Sequence, residues 1–214
     1  MAAAGKEPLF EIKLVAAKRD TRLDYSAFSV HADLLLHEVE HADLVIIPAL
    51  SGNLPAAIEA NRNLIPWILE QHKKGAEVAS LCLGAFLFAS TGLQKRKKCS
   101  THWGFCNDFR AMFPQVEMVD GSIITDEQGL YSSGGANSYW NLLLYLLEKY
   151  TDRPTAILAA KYFAVDIERD SQAAFMLFNG QRAHEDDTIK QVQNWLEAHY
   201  NNKVSVDELA ERFA

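Results

Sequence analysis

Cys82 ends the short apolar run Val78-Ala79-Ser80-Leu81 and precedes Leu83-Gly84-Ala85-Phe86-Leu87-Phe88-Ala89, which is small, apolar and helix-compatible up to Gly92. A cysteine at so sharp a strand-to-helix turn is held at the end of a sheet. There the dipole of the helix N-terminus lowers its pKa and favours thiolate. It is the sulfur counterpart of a nucleophile elbow. His102 follows 20 positions later, in Ser100-Thr101-His102-Trp103. For nucleophilic catalysis the imidazole must accept the thiol proton, and a third group must orient the ring. The competing reading is a buried cysteine acting as a small apolar residue. The elbow context favours a pocket position; catalysis is a separate question.

Three further groups carry chemical potential. Ser133-Gly134-Gly135-Ala136-Asn137 precedes a helical run. Its backbone N–H groups either hold an anionic or carbonyl group of a ligand or form an ordinary turn before a helix cap. His37-Glu38-Val39-Glu40-His41 matches the H-E-x-x-H zinc-protease string. That chemistry needs both histidines on one face of a long helix and a third ligand. An apolar strand follows at once, so the string reads as a solvated loop or short helix. Cys99, His102 and Cys106 span a strand end and a helix start with no evident fourth ligand, so unpaired cysteines under the sheet are expected and no metal is called for. Trp103 reads as a core or pocket-wall aromatic.

Alternating strands and helices position these groups. Strands are expected over 10–15, 25–30, 43–48, 78–81, 97–101, 116–119, 122–125 and 130–133. The run 43–48 is continuously apolar, as in a buried parallel strand. Helices are expected over 54–74, 84–91, 103–113, 137–150 and 154–165. This alternation implies an α/β layered fold with a mostly parallel sheet and helices on both faces. In such sheets ligands bind at the carboxyl ends of strands, where Cys82, His102 and Ser133-Gly134-Gly135 all fall. Beyond 165, residues 166–186 read as a linker broken by Asn179-Gly180. An amphipathic helix over 187–200 follows. Ser205-Val206-Asp207-Glu208 is a capping box opening another helix over 206–213. Residues 187–214 therefore read as the start of a small helical domain.

Composition sets the outer bounds. The chain has 214 residues, 49% hydrophobic, with a formal net charge of −7. A mildly acidic chain is not itself a phosphate-binding surface, and its one basic cluster, Lys95-Arg96-Lys97-Lys98, reads as a solvated turn. Three cysteines and no secretory signal pattern point to a reducing cytoplasm rather than a disulfide framework. No apolar run reaches the ~20 residues of a transmembrane helix.

With the elbow, the Thr101-His102-Trp103 string and the Ser132-Ser133-Gly134-Gly135 turn in place, residues 10 to about 150 resemble the PfpI-like branch of the class I glutamine-amidotransferase-like superfamily, of flavodoxin-like fold. Residues 166–214 resemble the linker and first helices of AraC-type DNA-binding domains, on Asp166-Ile167-Glu168-Arg169-Asp170-Ser171-Gln172 and Val204-Ser205-Val206-Asp207-Glu208-Leu209-Ala210. The resemblance implies a transcriptional regulator. Residues 1–165 would be a sensor and dimerisation domain, binding an unknown small-molecule effector through Cys82, Leu83, His102, Trp103, Ser133, Gly134, Gly135 and Asn137. The homodimer would bind operator DNA through a C-terminal domain of which 187–214 is the truncated start. No cofactor, metal or membrane partner is implied. Two departures argue against catalysis: the family's opening strand and helix, with an acid facing the cysteine, have no counterpart, and Leu83 stands where related hydrolases and hydratases carry His or Thr. Cys82 and His102 would then be vestigial. The rival class is a cysteine-dependent hydrolase or isonitrile-hydratase-like enzyme, which shares the elbow and the Thr-His-Trp string.

Overall fold

The computed structural model describes residues 8–22, 28–173 and 186–213. In chain order the elements are β1 (Val15–Ala16), β2 (Asp20–Arg22), β3 (Ser29–His31), β4 (Leu34–Leu35), β5 (Leu44–Ile47), α1 (Leu54–Ala60), α2 (Leu64–Lys73), β6 (Glu77–Leu81), α3 (Gly84–Ser90), β7 (Lys98–Cys99), α4 (Cys106–Met112), β8 (Glu117–Met118), β9 (Ile124–Asp126), β10 (Leu130–Ser133), α5 (Tyr139–Tyr150), α6 (Arg153–Phe163), α7 (Asp187–Ala198) and α8 (Val206–Phe213). The chain divides into two compact units, residues 1–174 and 175–214.

The first unit is built on a four-stranded sheet ordered β5-β6-β10-β9. Strands β5, β6 and β10 run parallel, and β9 is antiparallel to β10. Ser133 lies opposite Leu81, so the chain leaves β6 and β10 at neighbouring points. One sheet face packs Val45, Ile47, Val78 and Leu130 against Ile68 of α2 and Leu87 and Phe88 of α3. The other packs Ala79 and Tyr131 against Leu142 and Leu146 of α5. A third cluster joins α3 to α4, where Phe86 and Phe109 meet edge to face at 5.1 Å. This is a flavodoxin-like α/β fold with helices on both faces of the sheet. The remaining strands form separate pairs: β1 with β4 and β7 with β8 in parallel, β2 with β3 antiparallel.

Several expected elements differ in extent. The strand expected over 10–15 is reduced to β1. Tyr25 lies outside the described residues, and β3 begins at Ser29. The helix expected over 54–74 is two helices: the Asn61 side chain bonds back to the carbonyl of Ala57 at 2.8 Å, and Pro66, with no N–H to give, sits in the first turn of α2. Strand β5 is not buried on both faces, since Ile46 is 40% exposed between buried Val45 and Ile47. Strand β7 stops at Cys99 because the Ser100 N–H is taken by the Ser132 hydroxyl at 2.7 Å. The helix expected from 103 opens with a 3-10 turn, Trp103–Phe105, before α4.

The H-E-x-x-H string forms only a 3-10 turn, Leu36–Glu38. The Glu38 carboxylate is occupied by the Arg19 guanidinium at 2.7 and 2.8 Å and by the Leu35 N–H at 2.7 Å. Among the described residues no group of three or more His, Cys, Asp or Glu is arranged to hold a metal ion, and no helix is long and apolar enough to cross a membrane.

The stretch expected as a linker from 166 onward is docked on the first unit through residue 172. The Asn141 side chain donates to the Asp166 carbonyl at 2.7 Å, Ile123 N–H donates to Asp170 O at 3.1 Å, and Ser171 bridges to Ser122. Asn179 and Gly180 lie outside the described residues.

In the second unit, Asp186 caps α7 by accepting the Ile189 N–H at 3.0 Å. Ser205 and Glu208 form a reciprocal capping box at the start of α8: Glu208 N–H donates to Ser205 Oγ at 3.2 Å, and Ser205 N–H donates to the Glu208 carboxylate at 2.7 Å. The Trp195 ring stacks on His199 at 4.3 Å, meets Phe213 at 6.4 Å and carries the Arg212 guanidinium at 4.7 Å.

Candidate functional site

The site is assembled from three chain crossings at the carboxyl ends of β6, β7 and β10. Cys82 has φ 51°, a left-handed conformation that non-glycine residues rarely adopt. Three hydrogen bonds hold it there. Its N–H donates to Ser133 O at 2.9 Å, and its carbonyl accepts from Ala85 N–H at 3.3 Å and from the Thr101 hydroxyl at 3.0 Å. The turn is tight because α3 enters directly beneath β5. A Cβ on Gly84 would lie 2.5 Å from the Pro48 carbonyl oxygen and 2.6 Å from that of Ile47, so glycine permits the close approach.

The electrostatics of Cys82 differ from the sequence expectation. Burial pushes its thiol above the ordinary cysteine value, and the Leu83 N–H offsets only part of this. The start of α3 does not prevail, because half-burial withdraws solvent from the sulfur and, among the described residues, no cationic side chain lowers its pKa. Cys99 and Cys106 are buried free thiols, held protonated chiefly by burial, at about 12 and about 11.

His102 ends the loop after β7. Its Nδ1 accepts the Gly104 N–H at 3.1 Å, so the neutral ring carries its proton on Nε2. Burial lowers its pKa. The ring lies against Trp103 at 5.2 Å and Phe105 at 5.9 Å. Among the described residues no hydrogen bond joins Cys82 to His102. The two are connected through Thr101, which adjoins His102 in the chain and holds the Cys82 carbonyl.

The glycine turn spends part of its backbone on the fold itself. Gly134 N–H is spent on Ile123 O at 2.9 Å. Ser133 is fully buried, and its hydroxyl has no hydrogen-bond partner among the described residues. Asn137 is exposed, and the N-cap position of α5 is Ser138, whose side chain makes no capping hydrogen bond. The fold thus gathers Cys82, His102, Trp103, Ser133, Gly134 and Gly135 around the strand ends, with Leu83 half-buried behind the elbow, and leaves Asn137 on the surface.

Two organising residues escaped the sequence reading. Thr101 is buried and holds the elbow. Gln172, 2% exposed, reaches from the supposed linker into the site. Its Nε2 donates to the carbonyls of Thr101 at 3.2 Å and Ser122 at 2.8 Å, and its Oε1 accepts the Trp103 N–H at 3.3 Å. The available signal was Gly134. A Cβ there would lie 1.9 Å from Gln172 Nε2 and 2.6 Å from both Ser100 Oγ and Thr101 O, so that glycine marks a close approach of chain segments.

Comparison with known proteins agrees with this architecture. A deglycase of Pyrococcus horikoshii is 26% identical over 136 residues, covering 63% of this chain and 80% of its own length. Deglycase PfpI of Pyrococcus furiosus is 24% identical over 123 residues, covering 56% and 72%. Among solved structures, the "putative transcriptional regulator protein" of Vibrio parahaemolyticus superposes with a TM-score of 0.63 at 23% identity, covering 69% of this chain and 78% of that one. A ThiJ/PfpI family protein of Pseudomonas syringae superposes at 0.62 and 16% identity, covering 89% and 75%. Those structural likenesses carry the fold. The sequence match to the DJ-1/PfpI family runs over residues 5–149, most of the first unit and all three strand ends of the site, and the chain therefore belongs to the DJ-1/PfpI family.

Proposed function

We propose that this chain is the ligand-sensing portion of a DNA-binding transcriptional regulator. A small molecule binding beside the Cys82 elbow biases a homodimer that contacts operator DNA through an AraC-type C-terminal domain, of which α7 and α8 are the opening helices. The observation that carries this reading is the state of the His102 ring. Its one lone pair is spent on the Gly104 N–H, while Cys82 is held as a neutral thiol by burial. A general base needs that lone pair for the thiol proton. A pocket wall does not. The capped pair α7–α8 gives further support, since a sensor needs an output module and a free-standing enzyme does not.

A second reading is a cysteine-dependent hydrolase or isonitrile-hydratase-like enzyme. The left-handed backbone at Cys82 favours it, because such strain concentrates at functional sites, and two related sequences are named deglycases.

Thermal denaturation against a panel of small nitrogenous and carboxylic metabolites separates the two. The sensor reading expects a compound that stabilises the wild type, survives chemically unchanged, and loses its effect in Cys82→Ala and His102→Ala. A compound consumed in a Cys82-dependent way makes the enzyme reading the correct one.

A further inference from the structure

We propose that Gln172 is a positioning residue that couples the Cys82–His102 site to the chain leading into the helical unit. The His102 loop and the docking of residues 170–172 form one element with two arrangements, latched and released.

The latch is read from the pattern of contacts. Gln172 bonds to the residues on both sides of His102: it donates to the Thr101 carbonyl and accepts from the Trp103 N–H. Its amide orientation is dictated, with two carbonyls on the Nε2 side and an N–H on the Oε1 side. Its own N–H donates to Gly121 O at 2.6 Å, which fixes the backbone at the same point. Thr101 completes a chain of hydrogen bonds from Gln172 Nε2 to Thr101 O, and from Thr101 Oγ1 to Cys82 O. That chain ends on the residue with the left-handed φ. An occupant that shifts the His102 loop must displace the Gln172 amide. This leaves Thr101 O and Trp103 N–H to find other partners together, while Ser122 O keeps the Ser100 hydroxyl, a cost that favours all-or-none release. By linkage, release of residues 170–172 must alter the elbow equally. The coupling holds whether the site binds its ligand or turns it over.

The test uses the 214-residue chain and iodoacetamide as the occupant. Cys82 is half-buried, whereas Cys99 and Cys106 are 0% and 6% exposed, so treatment at mildly alkaline pH, continued until a single thiol has reacted, labels Cys82, with Cys82→Ser as the control. Amide hydrogen exchange is then read in the labelled wild type. The expected result is exchange roughly fivefold faster or more, the low end for coupled sites, at Trp103, Ile123 and Gln172, with the amides of β6 unchanged. Exchange unchanged at all three, or raised uniformly along the chain, overturns the coupling. In the reverse direction, Gln172→Met keeps the side-chain length but makes none of the three bonds. Its Cys82 should alkylate at a rate different from wild type by a similar factor. A folded Gln172→Met chain alkylating at the wild-type rate also overturns it. The exchange measurement needs no variant, so it stands if Gln172→Met does not fold. Failure of the coupling leaves the sensor reading intact, because neither measurement involves an effector or DNA.

Discussion

Thr101 donates its hydroxyl to the carbonyl oxygen of Cys82 at 3.0 Å, so the residue beside the histidine holds the backbone of the cysteine. Thr101 is 1% exposed, and no water competes for the bond. The Cys82 carbonyl keeps a second donor, Ala85 N–H. Thr101→Val should therefore cost about 1 kcal/mol, near the mean for a buried hydrogen bond whose acceptor is not orphaned. Thr101→Ser should cost less. Urea unfolding of the three proteins checks the order.

Gly84→Ala should be more severe. The added methyl meets two backbone carbonyls, those of Pro48 and Ile47, and neither can rotate away. Either α3 or β5 must move. A loss of about 1–3 kcal/mol, typical of overpacking, is expected in the same unfolding experiment. A variant as stable as wild type would mean that the elbow is looser than its geometry implies.

The thiol of Cys82 should react slowly at neutral pH. Burial raises its pKa above the ordinary value of 9.0, and only thiolate attacks. The alkylation rate should climb steadily with pH through and beyond the ordinary thiol range, without levelling near neutrality. A plateau below pH 8 would reveal an activated cysteine and favour the enzyme reading.

Stability should fall at alkaline pH. Unfolded cysteines ionise near the ordinary value of 9.0, whereas Cys106 and Cys99 stay protonated to about 11 and about 12 in the fold. Between those limits the native state binds more protons than the unfolded one, so stability declines as pH rises. The contribution is complete below the ordinary thiol range and is lost as pH approaches the folded values. Replacing both cysteines by Ala should flatten this decline, whatever it does to the baseline.

His102 should be neutral at pH 7 with its proton on Nε2, because its pKa lies below the usual 6.5 and Nδ1 accepts from Gly104. Nitrogen-detected NMR of the imidazole distinguishes the tautomers. A proton on Nδ1 would free the other nitrogen as a base.

How much of this was legible in the sequence depends on the kind of interaction. The strand–elbow–helix around Cys82 was readable because apolar period, small residues and Gly92 agree over a short span. The start of α8 was readable for a similar reason, since Ser205 and Glu208 make a local capping box. The split of α1 from α2 was missed although Pro66 and the Asn61-Arg62-Asn63 run signalled it; the apolar face at Ile58, Ile65 and Ile68 outweighed them. The protonation of Cys82 was not legible, because it depends on tertiary burial outweighing a local dipole. Gln172 was invisible. Its partners lie 50 to 71 residues away in the chain, and a polar segment after the last core helix has the composition of a linker whether or not one residue of it is inserted in a site.

The hydrogen where Gly134 has no side chain faces the amide of Gln172, and the two positions therefore share one volume. Position 134 cannot gain a side chain while Gln172 stays in place. Among related chains, a methyl or larger group at 134 should appear only where the residue at 172 has shortened or turned away. Loss of the glutamine is necessary for filling the glycine but does not suffice, because Ser100 Oγ and the Thr101 carbonyl would still stand 2.6 Å from the new Cβ. The pair would leave a correlated trace in descent, readable from sequences alone, marking which relatives keep this latch and which have abandoned it.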